Sequence, residues 1–241
     1  MTETSRKGKR GMTPQHETAP KRQKPPARLA ISSHNYSSWC LRGFLLARLS
    51  GIDFIVEPAA ADDPQARAEL LMRTSSILLP CLIDGDVTVW DTIAIAEYLN
   101  ETYPKAAMLP ADPISRARCR SISGEMHSGF AALRASLPMN IRAHRPGFTV
   151  WSGAQADIDR ITTIWRDCFA ASPGPYLFGP TPCIADAMFA PVASRFQTYD
   201  VPLDPTCTTY IKTILAWPDM AEWIAEAENE PDTITELDLE F

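Results

Sequence analysis

Residues 78–99 read LLPCLIDGDVTVWDTIAIAEYL, and the placement of the rest of the chain follows from them. Leu79, Cys81, Leu82 and Ile83 form an apolar run interrupted by Pro80, and Val87-Thr88-Val89-Trp90 is β-branched and aromatic. With Asp84-Gly85-Asp86 between them, the two runs predict an antiparallel hairpin closed by a glycine-bearing turn. Asp91 and Thr92 then offer side-chain caps to a helix whose apolar residues are Ile93, Ile95, Ala96 and Leu99. Pro80 has no N–H to give a ladder, so a strand entered through it needs a bend, often at a cis bond. That leaves the backbone of Leu79 to pair with something extended. Backbone N–H groups and the positive end of a helix dipole at Asp91 and Thr92 suit an anion such as a carboxylate. A peptide-like acid fits across both features.

Upstream, residues 29–32 predict a strand, 33–38 a polar bend ending in an N-cap, and 39–50 a helix. The helix carries its stripe on Leu41, Phe44, Leu45 and Leu49 and stops at Gly51. Residues 54–57 predict a second strand and 64–73 a polar helix. Downstream, 103–112 is a proline-bearing linker, and Pro113 opens a helix expected to run to about Leu137, with Ile122, Met126, Phe130 and Leu133 on its buried face. Residues 143–153 read as a loop and 154–171 as a helix, followed by a mostly apolar helix at 184–199. Two more helices are expected at about 206–216 and 219–229, before an acidic tail.

A chain of 241 residues with 45% hydrophobic content can bury one large core or two small ones. The formal charge of −6 is unevenly spread: residues 1–28 hold eight Lys/Arg against two Glu, so the remainder carries about −12. An acidic body argues against nucleic acid as the main ligand. No run approaches the roughly 18 apolar residues of a membrane span, and no secretory segment is evident. The six cysteines, Cys40, Cys81, Cys119, Cys168, Cys183 and Cys207, are scattered without CxxC or paired-histidine spacing, which suits reduced thiols in a cytoplasmic protein and no metal. Residues 1–26 are too polar to repay ordering by burial and are expected to be a disordered tail. Pro20-Lys21-Arg22-Gln23-Lys24 within it reads either as a solvated segment or as an import or anion-binding patch.

The 78–99 stretch resembles the second half of the thioredoxin-like domain of cytosolic glutathione transferases. In that family a cis-proline follows the residue whose backbone pairs with the cysteinyl part of glutathione, and an acidic residue with Ser or Thr after it holds the γ-glutamyl end. The matching positions are Leu79, Pro80, Asp91 and Thr92. The chain departs from the family's usual Glu-Ser in having Asp-Thr, and from its Gly-Lys-Val before the proline in having Ile77-Leu78-Leu79, without the basic side chain. Asn35-Tyr36-Ser37-Ser38-Trp39-Cys40-Leu41-Arg42 resembles the Ser-Ser-Cys-Ser-Trp-Arg-Val-Arg segment of zeta-class transferases, anchored on Trp39 and Arg42. Tyr176-Leu177-Phe178-Gly179 followed by Cys183-Ile184-Ala185-Asp186 resembles the C-terminal folding signature, with Cys183 in place of the capping hydroxyl and Thr181 as a substitute cap.

The resemblance implies an α/β thioredoxin-like N-terminal domain at 29–103 and an all-α C-terminal domain at 113–230, after a basic tail at 1–28. It implies a glutathione S-transferase that conjugates or isomerises small hydrophobic electrophiles, works in detoxification and forms a homodimer. Glutathione is the co-substrate. A thiol held at a helix N-terminus beside a hydroxyl is biased towards thiolate. Ser37 is the first candidate for that hydroxyl, with Ser38 and Asn35 behind it as catalytic candidates and Tyr36, Leu79, Pro80, Asp91 and Thr92 as glutathione contacts. Ser37 and Ser38 equally read as helix caps. Met126, His127 and Phe130 are candidates for the substrate pocket, with Arg134 near them; a lone helix histidine also reads as a structural residue. Two other functions fit the same fold: a non-catalytic binding or scaffold protein, and a thiol oxidoreductase through Cys40, although Cys40 also reads as a buried small hydrophobe.

Overall fold

The computed structural model describes residues 1–2, 25–59 and 78–231. Most of the tail, the 64–73 helix, Ile77 and the acidic C-terminus lie outside the described residues.

The 78–99 stretch folds as its pattern dictates. Strands β3 (Cys81–Asp84) and β4 (Val87–Trp90) pair antiparallel, with Asp84 opposite Val87 and Cys81 opposite Trp90. Gly85 takes φ 64° in the turn, a conformation open to it for want of a Cβ. The Leu79–Pro80 bond is cis, and the strand begins after the proline. Helix α2 (Thr92–Thr102) follows with Asp91 as its N-cap.

Strand β1 (Ala27–Ile31) begins two residues earlier than expected, so Ala27 and Arg28 belong to the sheet and not to the tail. It pairs in parallel with β2 (Phe54–Pro58) and antiparallel with β3, which gives the order β2-β1-β3-β4. Helix α1 (Ser38–Ser50) is the crossover between the parallel strands, capped by Ser37 and ended by Gly51 at φ 70°. Gly43 sits where α1 crosses Pro80. A Cβ there would lie 2.6 Å from Cγ of the proline ring.

The second part is helical: α3 (Pro113–Ser128), α4 (Ala131–Ser136), α5 (Ser152–Ala171), α6 (Ile184–Thr198), α7 (Pro205–Leu215) and α8 (Pro218–Asn229). The long helix expected from Pro113 to Leu137 is in fact two. Its backbone breaks at Gly129, and Phe130 adopts φ 61° to start α4. A side chain at Gly129 would meet the Glu125 carbonyl at 2.8 Å, so glycine permits the break.

Nearly every residue of α6 is buried, as expected of an apolar helix without a polar face. Its Phe189 and Phe196 pack against Trp165 of α5, which also meets Tyr210 of α7, with ring centroids 4.8–6.0 Å from that of Trp165. The cap at Cys183 does not fall to Thr181, which is exposed. The capping box forms with Cys183 itself, its side chain facing the Asp186 N–H, while the Asp186 carboxylate accepts from the N–H groups of Cys183 (2.9 Å) and Leu177 (3.1 Å) and from the Tyr210 hydroxyl (2.9 Å). Burial pushes its carboxyl up, against the pull of these donors, so Asp186 is a structural residue. Among the described residues no helix is long and apolar enough to cross a membrane.

Candidate active site

A cleft of about 330 Å³ opens between the two parts, lined by Trp39, Leu78, Leu79, Pro80, Asp91, Thr92, His127 and Ser128. The hairpin and α2 bring Leu79, Pro80, Asp91 and Thr92 to one wall, as the sequence pattern required of a ligand lying across both. The N-terminus of α1 contributes Trp39, and the end of α3 contributes His127 and Ser128.

Asp91 has φ 76° and ψ 132°, a conformation that costs an L-residue on the order of 1–3 kcal/mol. Its Oδ1 offsets this by accepting from the N–H groups of Ile93 (2.8 Å) and Ala94 (3.3 Å). Oδ2 is thereby left to face the cleft, where His127 Nε2 approaches it at 3.1 Å. The other ring nitrogen of His127 lies 3.3 Å from the Thr92 hydroxyl. One imidazole thus bridges both residues expected to hold the γ-glutamyl end. Its ring also meets Trp39 edge-on at 5.2 Å.

Ser37 is the N-cap of α1, its Oγ accepting from the Cys40 N–H at 3.3 Å. The structure shows the capping role, and Ser37 is not among the residues that line the cleft. Ser38 is buried in the first turn, and its carbonyl accepts from Arg42 Nη1. Asn35 is buried, and its Oδ1 accepts from the Arg142 N–H at 3.0 Å. The Tyr36 hydroxyl is bonded to Arg142 Nη2 at 3.3 Å. Neither Asn35 nor Tyr36 lines the cleft; both tie the loop to residues 141–142. Of the three pocket candidates Met126, His127 and Phe130, only His127 faces the cleft. Met126 and Phe130, 1% and 7% exposed, turn into the core because the apolar stripe that singled them out is the packing face.

Cys40 is fully buried with Ser32 beside its sulfur, and burial pushes its thiol up. Cys81 is likewise buried and raised to about 11. Neither is poised as a thiolate nucleophile.

Sequence reasoning named Arg134 beside the pocket and Arg42 in the zeta-like segment, but it missed Arg195 and the cluster that the three form. Arg42 (1% exposed) and Arg195 (6%) are buried near half-buried Arg134. Arg42 donates to the carbonyls of Met188 (2.8 Å) and Ser38 (3.4 Å). Arg134 donates to the carbonyls of Met126 and His127. The guanidiniums of Arg42 and Arg134 lie 4.8 and 4.7 Å from the Trp39 ring centre. Burial and mutual repulsion hold all of this charge at a cost: Arg42 is lowered by burial, then by Arg195 and Arg134, and Arg195 falls to about 10 for burial and Arg134. Asp157 acts on Arg134 alone. The Nε atoms of Arg134 and Arg195 are buried without a hydrogen-bond partner among the described residues. A buried positive cluster with one carboxylate acting on it and two unpartnered Nε donors has capacity for an anion. The signal available in the sequence was Arg195 within an otherwise apolar helix.

A thioredoxin-like domain with a cis-proline and an acid-capped helix facing an all-helical domain defines a class of thiol-peptide-binding proteins. The known-protein comparisons narrow it. Residues 36–102 match the glutathione S-transferase N-terminal domain and residues 124–226 its C-terminal domain. The maleylacetoacetate isomerase of Rattus norvegicus is 30% identical over 206 residues, covering 83% of this chain and 92% of that protein. A probable maleylacetoacetate isomerase of Caenorhabditis elegans is 28% identical over 200 residues, covering 81% and 91%. The crystal structure of a glutathione transferase homolog from Burkholderia with bound glutathione superposes with a TM-score of 0.66 at 23% identity, covering 85% of this chain and all of that one. The chain belongs to the glutathione S-transferase family.

Proposed function

We propose that this glutathione transferase is a zeta-type isomerase whose electrophile is an acidic, cis-unsaturated compound of the maleyl keto-acid kind. The observation that carries the reading is the arginine cluster behind the cleft: the Arg134 guanidinium lies 4.7 Å from the Trp39 ring centre, and Nε of Arg134 and Nε of Arg195, whose charges repel each other, are buried without a hydrogen-bond partner among the described residues. A hydrophobic electrophile leaves that charge uncompensated, whereas a carboxylate satisfies it. The two maleylacetoacetate isomerase relatives point the same way.

The residues present suit glutathione. Asp91 Oδ2 and the Thr92 hydroxyl form a donor–acceptor pair for an α-amino acid end, with His127 as their partner or as the group displaced. In this reading Leu79 and Pro80 border the cysteinyl position, and Ser37, at the positive end of α1, donates its hydroxyl to the thiolate. Bound glutathione would supply a thiolate for reversible addition to the double bond, the π pair passing to the conjugated keto oxygen and returning to re-form the trans double bond as the thiolate leaves with the C–S pair. Ser37 lowers the cost of that charge, the arginines hold the electrophile's carboxylate, and Trp39 closes the wall between them. A two-fold dimer, a cytoplasmic location and a role in detoxification belong to the same proposal and rest on family membership.

The test is to supply maleylacetoacetate with glutathione far below the substrate concentration. Complete conversion to the trans isomer with glutathione recovered is expected. Glutathione consumed in proportion to product, or turnover confined to a chlorinated aromatic, refutes isomerisation.

A further inference from the structure

We propose that Glu230, at the C-terminal end of α8, is a positioning residue that holds the 33–37 loop, and with it Ser37, in its working conformation. Three donors of the loop converge on its carboxylate: the Ser33 hydroxyl at 3.0 Å, the His34 N–H at 3.2 Å and the Asn35 N–H at 2.7 Å. Two successive backbone N–H groups and a hydroxyl form a concavity that favours an anion, and bonds to a carboxylate are stronger than neutral ones. The chain fills it with a residue almost two hundred positions away.

Glu230 is itself held. Its carbonyl accepts from Arg142 Nη1 at 2.7 Å, and the same guanidinium reaches the Tyr36 hydroxyl. Two turns back along α8, Trp223 donates from Nε1 to the His34 carbonyl at 2.8 Å and lays its ring 4.4 Å from the imidazole. The Ser33 hydroxyl also accepts from the Tyr36 N–H at 3.0 Å, which carries the restraint to the residue next to Ser37. Glu230 touches neither cleft nor ligand, so it acts through the loop. Its catalytic consequence rests on Ser37 stabilising a glutathione thiolate as proposed above.

Glu230→Ala in the full-length chain is the test, read by amide hydrogen exchange of residues 34–41 without glutathione. Loss of charge-assisted bonds to partly buried donors is expected to raise exchange in the loop by about tenfold or more, with exchange in α6 unchanged. Excess sodium formate, a carboxylate small enough for the vacated concavity, is expected to reverse the effect, and sodium chloride at equal ionic strength is not. Thiolate absorbance of bound glutathione is expected to titrate at higher pH in the variant. Unchanged loop exchange overturns the proposal, and so does a rise shared equally by α6. Faster loop exchange with an unmoved thiol titration overturns the positioning role. Should Glu230→Ala not fold, Glu230→Gln, which turns one acceptor into a donor facing the amides, decides by the same readouts. If the wild type shows no bound thiolate, the glutathione reading fails, while the exchange result still judges the Glu230 contact.

Discussion

Replacing Gly43 by alanine sets two effects of opposite sign against each other. Gly43 lies inside α1, where alanine is favoured over glycine by about 1 kcal/mol. Propensity alone therefore predicts a stabilised protein. The added Cβ, however, would stand 2.6 Å from Cγ and 2.8 Å from Cβ of Pro80, where carbon atoms in contact prefer about 3.5–4.0 Å. About 1 Å must be found by moving α1 or the proline ring, which has no rotamer to escape into. Overpacking of this kind costs about 1–3 kcal/mol. The expected net effect is a loss of about 1 kcal/mol, up to about 2, at about 2–4 °C in Tm per kcal/mol for a chain of this length. The displacement falls on Pro80 and Leu79, so glutathione affinity should fall as well. Urea unfolding followed by fluorescence measures the first effect and calorimetric titration of glutathione the second. A variant as stable as the wild type or more so would show that α1 does not set the position of the proline loop.

Asp91→Ala removes the helix cap and the carboxylate facing the cleft together. A stability loss of about 1 kcal/mol should accompany abolished glutathione binding in calorimetry, and unchanged affinity would eliminate the proposed γ-glutamyl site. Arg195→Met should raise stability in denaturant unfolding and raise KM for an acidic electrophile. A side chain lowered from 12.5 to about 10 by burial opposes folding at neutral pH, by about 3 kcal/mol. That penalty is complete below about pH 10, where both states are charged, and fades as pH rises from there towards 12.5, because the unfolded chain binds the additional proton. A large destabilisation in Arg195→Met would refute the account of the cluster. All six thiols are buried in the fold, so native protein at pH 8 should react with a disulfide reagent only at the rate of unfolding. One fast thiol would revive the oxidoreductase function for Cys40.

Local signals were legible in the sequence and long-range ones were not. The hairpin, the cap at Asp91, the cis-proline and the stop at Gly51 each follow from a few adjacent residues whose backbone chemistry leaves few choices, and the structure has them within two residues of expectation. The helix from Pro113 was read through its break because apolar spacing carries on smoothly across Gly129 and Phe130, while the break depends on Glu125 crowding any side chain at 129. The same spacing sent Met126 and Phe130 to the pocket when periodicity identifies the face that packs. His127 lies one position off that face and so reaches the cleft. Arg134 reaches Trp39 and Arg195 acts on Arg42 and Arg134 only in three dimensions, and Glu230 reaches Asn35 across 195 residues. No local pattern encodes such a contact. The binding half of this site is therefore written in short motifs, and the half that sets its charge and holds its loop is distributed over the helical part. The proposed choice of an acidic electrophile therefore rests on Arg134 and Arg195, which the short motifs do not encode, and not on the glutathione contacts.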